Sequence, residues 1–236
     1  MDADVLVAVK KELVHSADDR TRESAQRFFK EDVKFHGVKN AAVKKIAQKY
    51  QRAIKGRDKQ DIFALCENLL QSGYGEEAVI AFEWAYSLRR EYEPADFQEF
   101  ERWVRKYVDN WAKCDTLCNH TIGAFIEKYP SFIENLKDWA RSENRWLKRA
   151  SAVTLILPAR KGDFLDDVLE ISDILLKDKE DLVQKGYGWM LKEASRKHQE
   201  EVYEYIMRRK SEMPRTALRY AIEKMPEGLR RKAMER

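Results

Sequence analysis

Asn40-Ala41-Ala42-Val43-Lys44-Lys45-Ile46-Ala47-Gln48-Lys49-Tyr50-Gln51-Arg52-Ala53-Ile54 is the stretch whose reading decides the fold. Val43, Ile46, Ala47, Tyr50 and Ile54 recur in steps of three and four, which is one buried stripe of an α-helix. Lys45, Lys49 and Arg52 stand at i, i+4 and i+7 on the other side, a cationic row facing solvent. Asn40 is a residue type that caps helices and is expected to cap this one. A strand would need sustained alternation with period two, and no segment of the chain shows it.

Outward from this helix the same spacing returns along the chain. It is seen in Ile62-Leu65-Cys66-Leu69, in Val79-Phe82-Ala85-Tyr86 and in Phe97-Phe100-Trp103-Val104-Tyr107. It continues through Ile122-Phe125-Ile126, Phe132-Ile133-Leu136, Ala152-Leu155-Ile156, Val168-Ile171-Leu175 and Val202-Ile206. Gly56, Gly73, Pro94, Pro130, Gly162, Pro214 and Pro226 punctuate the stripes, several of them where a first helical turn could begin. Helices of ~10–18 residues separated by short breaks should pack antiparallel, and pairs of about 40 residues match the rhythm of HEAT-like repeats. The expected fold is therefore all-α, a HEAT-like helical-repeat solenoid. A concave face on such a fold suits an extended partner.

The 236 residues support one sizeable core, and no linker divides them, so a single domain spanning 1–236 is expected. Only 9 glycines and 5 prolines are present, which argues against a disordered chain. The apolar runs fall far short of the ~20 residues of a membrane span. Met1-Asp2-Ala3-Asp4 lacks the basic start of a secretory signal, and three cysteines suit no disulfide framework. These features point to a soluble, cytoplasmic protein.

The net charge of +4 says little, because 36% of the residues are charged and most cancel. Their distribution says more. Lys39 to Lys59 holds eight basic residues against Asp58, and Arg208 to Arg236 holds ten against four glutamates. Asp61 to Glu101 holds ten acids and two arginines. If the two basic segments share a side, the protein presents a basic, anion-binding face; the other reading is two solvated helix faces with no partner.

Four residues could carry chemistry. Trp111 and Asp115 are i and i+4 in Asp109-Asn110-Trp111-Ala112-Lys113-Cys114-Asp115, so indole and carboxylate share a helix face. Arg149 follows Ser142-Glu143-Asn144-Arg145-Trp146, and Trp189 ends Gln184-Lys185-Gly186-Tyr187-Gly188-Trp189. Each has a plainer reading: a helical tryptophan is usually core, Asp115 could be solvated surface, and Arg149 could pair with a nearby glutamate. Cys114, Cys118 and His120 lack the spacing and the fourth ligand of a zinc site. Gly73-Tyr74-Gly75 lacks the strand and the Lys and Ser/Thr of a phosphate loop.

Taken together, these segments resemble the AlkD family of alkylation-repair DNA glycosylases. Trp111 through Asp115, with His120 and Gly123 after it, is similar to the family's Trp-x-x-x-Asp segment. Ser142-Glu143-Asn144 with Trp146 and Arg149 resembles the next catalytic helix, Gln184-Lys185 with Gly188-Trp189 the one after, and Lys34-Phe35-His36-Gly37-Val38-Lys39 the turn before an upstream helix. The resemblance implies hydrolysis of the N-glycosidic bond of cationic N3- and N7-alkylpurines in duplex DNA by a monomer without cofactor or metal. It implies that Trp111 and Trp189 hold the deoxyribose and that Asp115 stabilises the positive charge on the sugar. It also implies that Arg149 anchors the phosphate backbone. Lys45, Lys49 and Arg52 are expected to contact DNA phosphates.

Three positions depart from the family pattern. Phe28 stands where a tyrosine is usual, keeping the aromatic surface expected to contact DNA but losing the hydroxyl. Ala112 replaces a frequent acid. Gly186 and Gly188 should weaken the helix carrying Trp189 by ~1 kcal/mol each relative to alanine. A non-catalytic protein binding bent or structured DNA on the same scaffold is the alternative reading, and a helical-repeat protein scaffold is a third.

Overall fold

The computed structural model describes residues 2–235, and among them no strand occurs. An isolated bridge between Lys34 and Tyr74 is the nearest approach to sheet pairing. The protein is all-helical. Its contacts divide it into two compact units, Met1–Asp96 with Lys106–Leu117, and Phe97–Arg105 with Cys118–Arg236.

The first unit contains α1 (Asp2–His15), α2 (Asp19–Gln26), α3 (Asn40–Ile54), α4 (Lys59–Leu70) and α5 (Gly75–Ser87). Most of α6 (Asp96–Tyr107) belongs to the second unit, and the chain returns to the first for α7 (Trp111–Thr116). The apolar stripe of α3 is buried against α5: Val43, Ile46, Ala47 and Ile54 are in the core, and Trp84 of α5 donates its indole N–H to the Ala47 carbonyl at 3.0 Å. Asn40 is the first residue of α3 and not its cap; Lys39 holds the cap position and supplies no side-chain hydrogen bond. The preceding turn is anchored instead by the buried Glu76 carboxylate, which accepts from the backbone N–H groups of His36 (3.0 Å), Gly37 (2.8 Å) and Val38 (3.0 Å). Gly37 has φ +95°, and a Cβ there would lie 2.5 Å from the Asp18 carbonyl, so only glycine fits this turn.

The second unit holds α8 (Gly123–Lys128), α9 (Ile133–Ala140), α10 (Arg145–Thr154), α11 (Ile156–Lys161) and α12 (Leu165–Leu175). It ends with α13 (Asp181–Ala194), α14 (Gln199–Arg209), α15 (Arg215–Ala221) and α16 (Glu227–Met234). α13 is its central element, packed on α10, α11, α12 and α15. Pro214 and Pro226 stand at the caps of α15 and α16, with helix-compatible φ values of −55° and −53° at the breaks read from sequence. The stripe Ala152-Leu155-Ile156, which reads as continuous, is split between α10 and α11. Pro158 explains the split: it has no N–H for the Thr154 carbonyl, and its ring opposes a continuous helix there. Several elements are accordingly shorter than the sequence spacing suggests, α7, α8 and α11 being 6 residues each.

Candidate active site

α7 carries Trp111 and Asp115 on one face, and its start is firmly held. Asn110 is buried and caps the helix, its Oδ1 accepting from the Lys113 backbone N–H at 3.0 Å. The Lys113 side chain is buried as well. Its Nζ donates to Asp109 Oδ2 at 2.8 Å and to the Gly73 carbonyl at 3.1 Å, tying α7 to the turn between α4 and α5. A π-helix, Leu117–Ile122, follows α7 directly. Such wide turns are rare and are found frequently at functional sites.

The Trp111 indole is gripped from two directions. Its N–H donates to the Phe28 carbonyl at 3.3 Å, and its ring stacks on Phe29 with centroids 5.1 Å apart and planes 15° from parallel. Phe29 in turn meets Phe35 at 5.5 Å, and Phe35 occupies the space a Cβ on Gly75 would need, 2.3 Å from its Cε1. Gly75, Phe35, Phe29 and Trp111 thus form an aromatic buttress. Phe28 itself is 72% exposed, so its backbone serves the indole while its ring faces solvent. Asp115 is half-buried on the same helix.

The cationic row on α3, Lys45, Lys49 and Arg52, is exposed, and Lys49 is in addition paired with Glu12 at 2.6 Å. Tyr50 donates its hydroxyl to the same carboxylate at 2.7 Å, and the hydrogen bonds from Lys49 and Tyr50 hold the Glu12 carboxyl below its ordinary range.

In the second unit Arg149 and Trp189 sit on packed helices, α10 and α13. Asn144 caps α10, accepting from the Trp146 N–H at 2.8 Å. Arg149 is only 5% exposed and donates to the Leu182 carbonyl in the first turn of α13. A Cβ on Gly186 would stand 3.5 Å from Arg149 Cγ, so that glycine is where the arginine stem lies against α13. A Cβ on Gly188 would lie 2.7 Å from the Ala217 carbonyl and 2.8 Å from Tyr220 Cβ. Gly188 therefore lets α15 approach α13 closely, and the loss of helix propensity is exchanged for packing.

The six tryptophans sort cleanly by burial. Trp84, Trp103, Trp139 and Trp146 are core residues, 8% exposed at most. Trp111 and Trp189 are half-buried, each with its N–H engaged and part of its ring at the surface.

The family model described as DNA alkylation repair enzyme matches residues 9–225 of this chain. The chain belongs to the DNA alkylation repair enzyme family. Its fold is that of a solved protein described as a predicted DNA alkylation repair enzyme from Enterococcus faecalis. The two superpose with a TM-score of 0.81 over 90% of this chain and 98% of that one, at 15% sequence identity. No curated protein sequence matches this chain.

Membership gives the protein an enzymatic role in DNA alkylation repair, and it directs attention to supporting residues that the sequence reading passed over. Glu76 and Glu77, buried at the start of α5, organise the Lys34–Lys39 turn of this family member. Glu77 accepts from the His36 ring at 2.9 Å, and that ring stacks on Tyr74 at 3.9 Å. In sequence the two glutamates look like an ordinary acidic first turn; their partners lie some 40 residues upstream. Lys113 was equally hidden, whereas Asn110 could have been found as a cap-type residue directly before a helical stripe. Cys114 and Cys118 are buried and His120 is exposed, so thiols and imidazole occupy different environments. Among the described residues no helix is long and apolar enough to cross a membrane.

Proposed function

We propose that this protein is a monofunctional DNA glycosylase that hydrolyses the N-glycosidic bond of cationic N3- and N7-alkylpurines in duplex DNA. The observation that carries the reading is the pairing, on the braced helix α7, of a half-buried carboxylate with a fixed, partly exposed indole. Asp115 and Trp111 sit one turn apart, outside the core that claims four of the other tryptophans.

An alkylated purine of this kind already carries a positive charge. When the C1′–N bond breaks, its electron pair neutralises the base, so no acid is needed to protonate the leaving group. The demand shifts to the sugar, which becomes oxocarbenium-like. Asp115 supplies a carboxylate against that charge and orients the water that adds at C1′; the added water then loses a proton to solvent, leaving an abasic site. Rigid aromatic walls hold the deoxyribose and keep out bulk water, which strengthens the electrostatic term. Trp111 and Trp189 supply those walls. A second acid/base carboxylate, as glycosidases use, is unnecessary. Arg149 acts on the phosphate backbone, for which its buried guanidinium must exchange the Leu182 carbonyl for a phosphate oxygen. Lys45, Lys49 and Arg52 neutralise phosphates, Lys49 on release from Glu12, and the exposed Phe28 ring contacts DNA. The protein acts in this role as a cytoplasmic monomer without cofactor.

The test is mass-spectrometric detection of free base released from duplexes containing N7-methylguanine or N3-methyladenine, with a duplex bearing neutral hypoxanthine as control. Release of the cationic bases alone supports the proposal. Binding without release from any of these duplexes refutes it and favours a non-catalytic DNA-binding protein on this scaffold.

A further inference from the structure

Both half-buried indoles have their N–H engaged, but by acceptors of different kind. Trp111 donates to a backbone carbonyl, while Trp189 donates to Oε1 of Glu193, one turn further along α13, at 3.3 Å. Glu193 is only 3% exposed. Its other oxygen, Oε2, accepts from Nε of Arg160 at 2.8 Å and from Nε of Arg196 at 2.6 Å. Burying a carboxylate is costly unless its lone pairs are satisfied. Here both guanidinium bonds fall on one oxygen, which leaves the other aimed at the indole.

We infer that Glu193 is a positioning residue for Trp189, fixing the orientation in which the indole presents its exposed face. This rests on the reading of Trp189 as a wall of the sugar site. The contribution is geometric and not a matter of charge. Two guanidiniums and one carboxylate sum to a net positive group, which offers nothing to a cationic sugar. What the trio provides is rigidity: Arg160 from α11 and Arg196 beyond the end of α13 hold the carboxylate, and the carboxylate holds the ring. Without it the half-buried indole could swing about its χ torsions. Misplacement of a contact group by ~1 Å is enough to cost about a hundredfold in rate.

Two measurements on the full chain test the assignment. The first is the NMR resonance of the Trp189 indole N–H in the ¹⁵N-labelled protein, identified by its absence in Trp189→Phe. In Glu193→Gln, a nearly isosteric change, the resonance should move upfield and broaden as the carboxylate bond is lost. An unchanged resonance overturns the inference, and this readout holds whether or not the protein releases any base. The second is a double-mutant cycle on single-turnover base release. Glu193→Gln should slow release about tenfold to a hundredfold with unchanged DNA affinity, and should have no further effect in the Trp189→Phe background, where there is no N–H to hold. An equal loss in both backgrounds means that Glu193 only supports the fold, and overturns its positioning role. If wild type releases no base while the resonance moves in Glu193→Gln, the contact stands and the glycosylase reading fails.

Discussion

Gly186 and Gly188 lie two residues apart in α13, both buried, yet alanine at the two positions should have opposite effects on stability. In a helix interior alanine is better than glycine by roughly 1 kcal/mol, and that gain applies to both. At Gly186 a Cβ would meet Arg149 Cγ at 3.5 Å, Arg149 Nη1 at 3.6 Å and Val153 Cγ2 at 3.7 Å, all ordinary van der Waals separations. Gly186→Ala should therefore stabilise by about 1 kcal/mol. At Gly188 the Cβ would stand 2.7 Å from the Ala217 carbonyl oxygen, 2.8 Å from Tyr220 Cβ and 3.1 Å from Ala217 Cα. Two of these are backbone atoms of α15, so relief requires moving a helix and not turning a side chain. Overpacking of this sort costs about 1–3 kcal/mol, and the backbone obstruction argues for the upper end. Set against the propensity gain, Gly188→Ala should lose about 2 kcal/mol net. The two variants should thus differ by about 3 kcal/mol in urea unfolding, with wild type between them. Base release should follow the same division. Displacing α13 from α15 carries the adjacent Trp189 with it, whereas Gly186→Ala leaves the indole in place. If both variants are stabilised, or both destabilised by similar amounts, the assignment of Gly188 to close packing is wrong.

Other outcomes follow from the same geometry. Glu76→Ala strips three backbone N–H groups of their buried acceptor; with charged hydrogen bonds worth about 1.5–3 kcal/mol each, urea unfolding should show a loss of at least about 3 kcal/mol. Lys45→Ala and Arg52→Ala should each weaken duplex binding irrespective of sequence and reduce the slope of log affinity against log salt by about one, as read by fluorescence anisotropy. Burial opposes ionisation of Glu193, but the hydrogen bonds from Arg160 and Arg196 outweigh it and hold the carboxyl below its ordinary value. A group depressed in the folded state stabilises above its unfolded pKa, and the benefit disappears as pH falls through the folded value. Stability measured from neutral pH into acid should therefore fall less steeply in Glu193→Gln than in wild type.

The helical fold was legible because its signal is local. The α3 stripe shows which face is buried, and Pro214 and Pro226 mark helix starts with φ values a helix already requires. The break between α10 and α11 was equally local but lay inside an apolar run, where Pro158 outweighs the spacing of Ala152, Leu155 and Ile156. What brings the candidate site into shape was much less legible. Trp111 and Asp115 are visible as a pair one turn apart, but the Phe29 stack that steadies the indole joins positions far apart in sequence. Glu76 presents the composition of a solvated first turn and spends its charge on a distant loop. Asn40 has the chemistry of a cap and is not one, because the chain enters α3 along a path set by Glu76 and Gly37. Gly188 reads as a weakness for the same reason: propensity is counted along one helix, whereas its benefit depends on the close approach of α15. Gly186 has room for a Cβ, so there the reading from propensity holds.

The most direct test of the central claim is the single-turnover rate of N7-methylguanine release from duplex DNA by wild type and Asp115→Asn, with affinity for the same duplex measured in parallel. Asparagine keeps the size and polarity of the side chain and removes only the charge proposed to stabilise the sugar cation. The account predicts release by wild type, a loss of at least about a hundredfold in the variant, and unchanged binding. Release by Asp115→Asn at the wild-type rate would contradict it, since the carboxylate on α7 would then have no part in the chemistry.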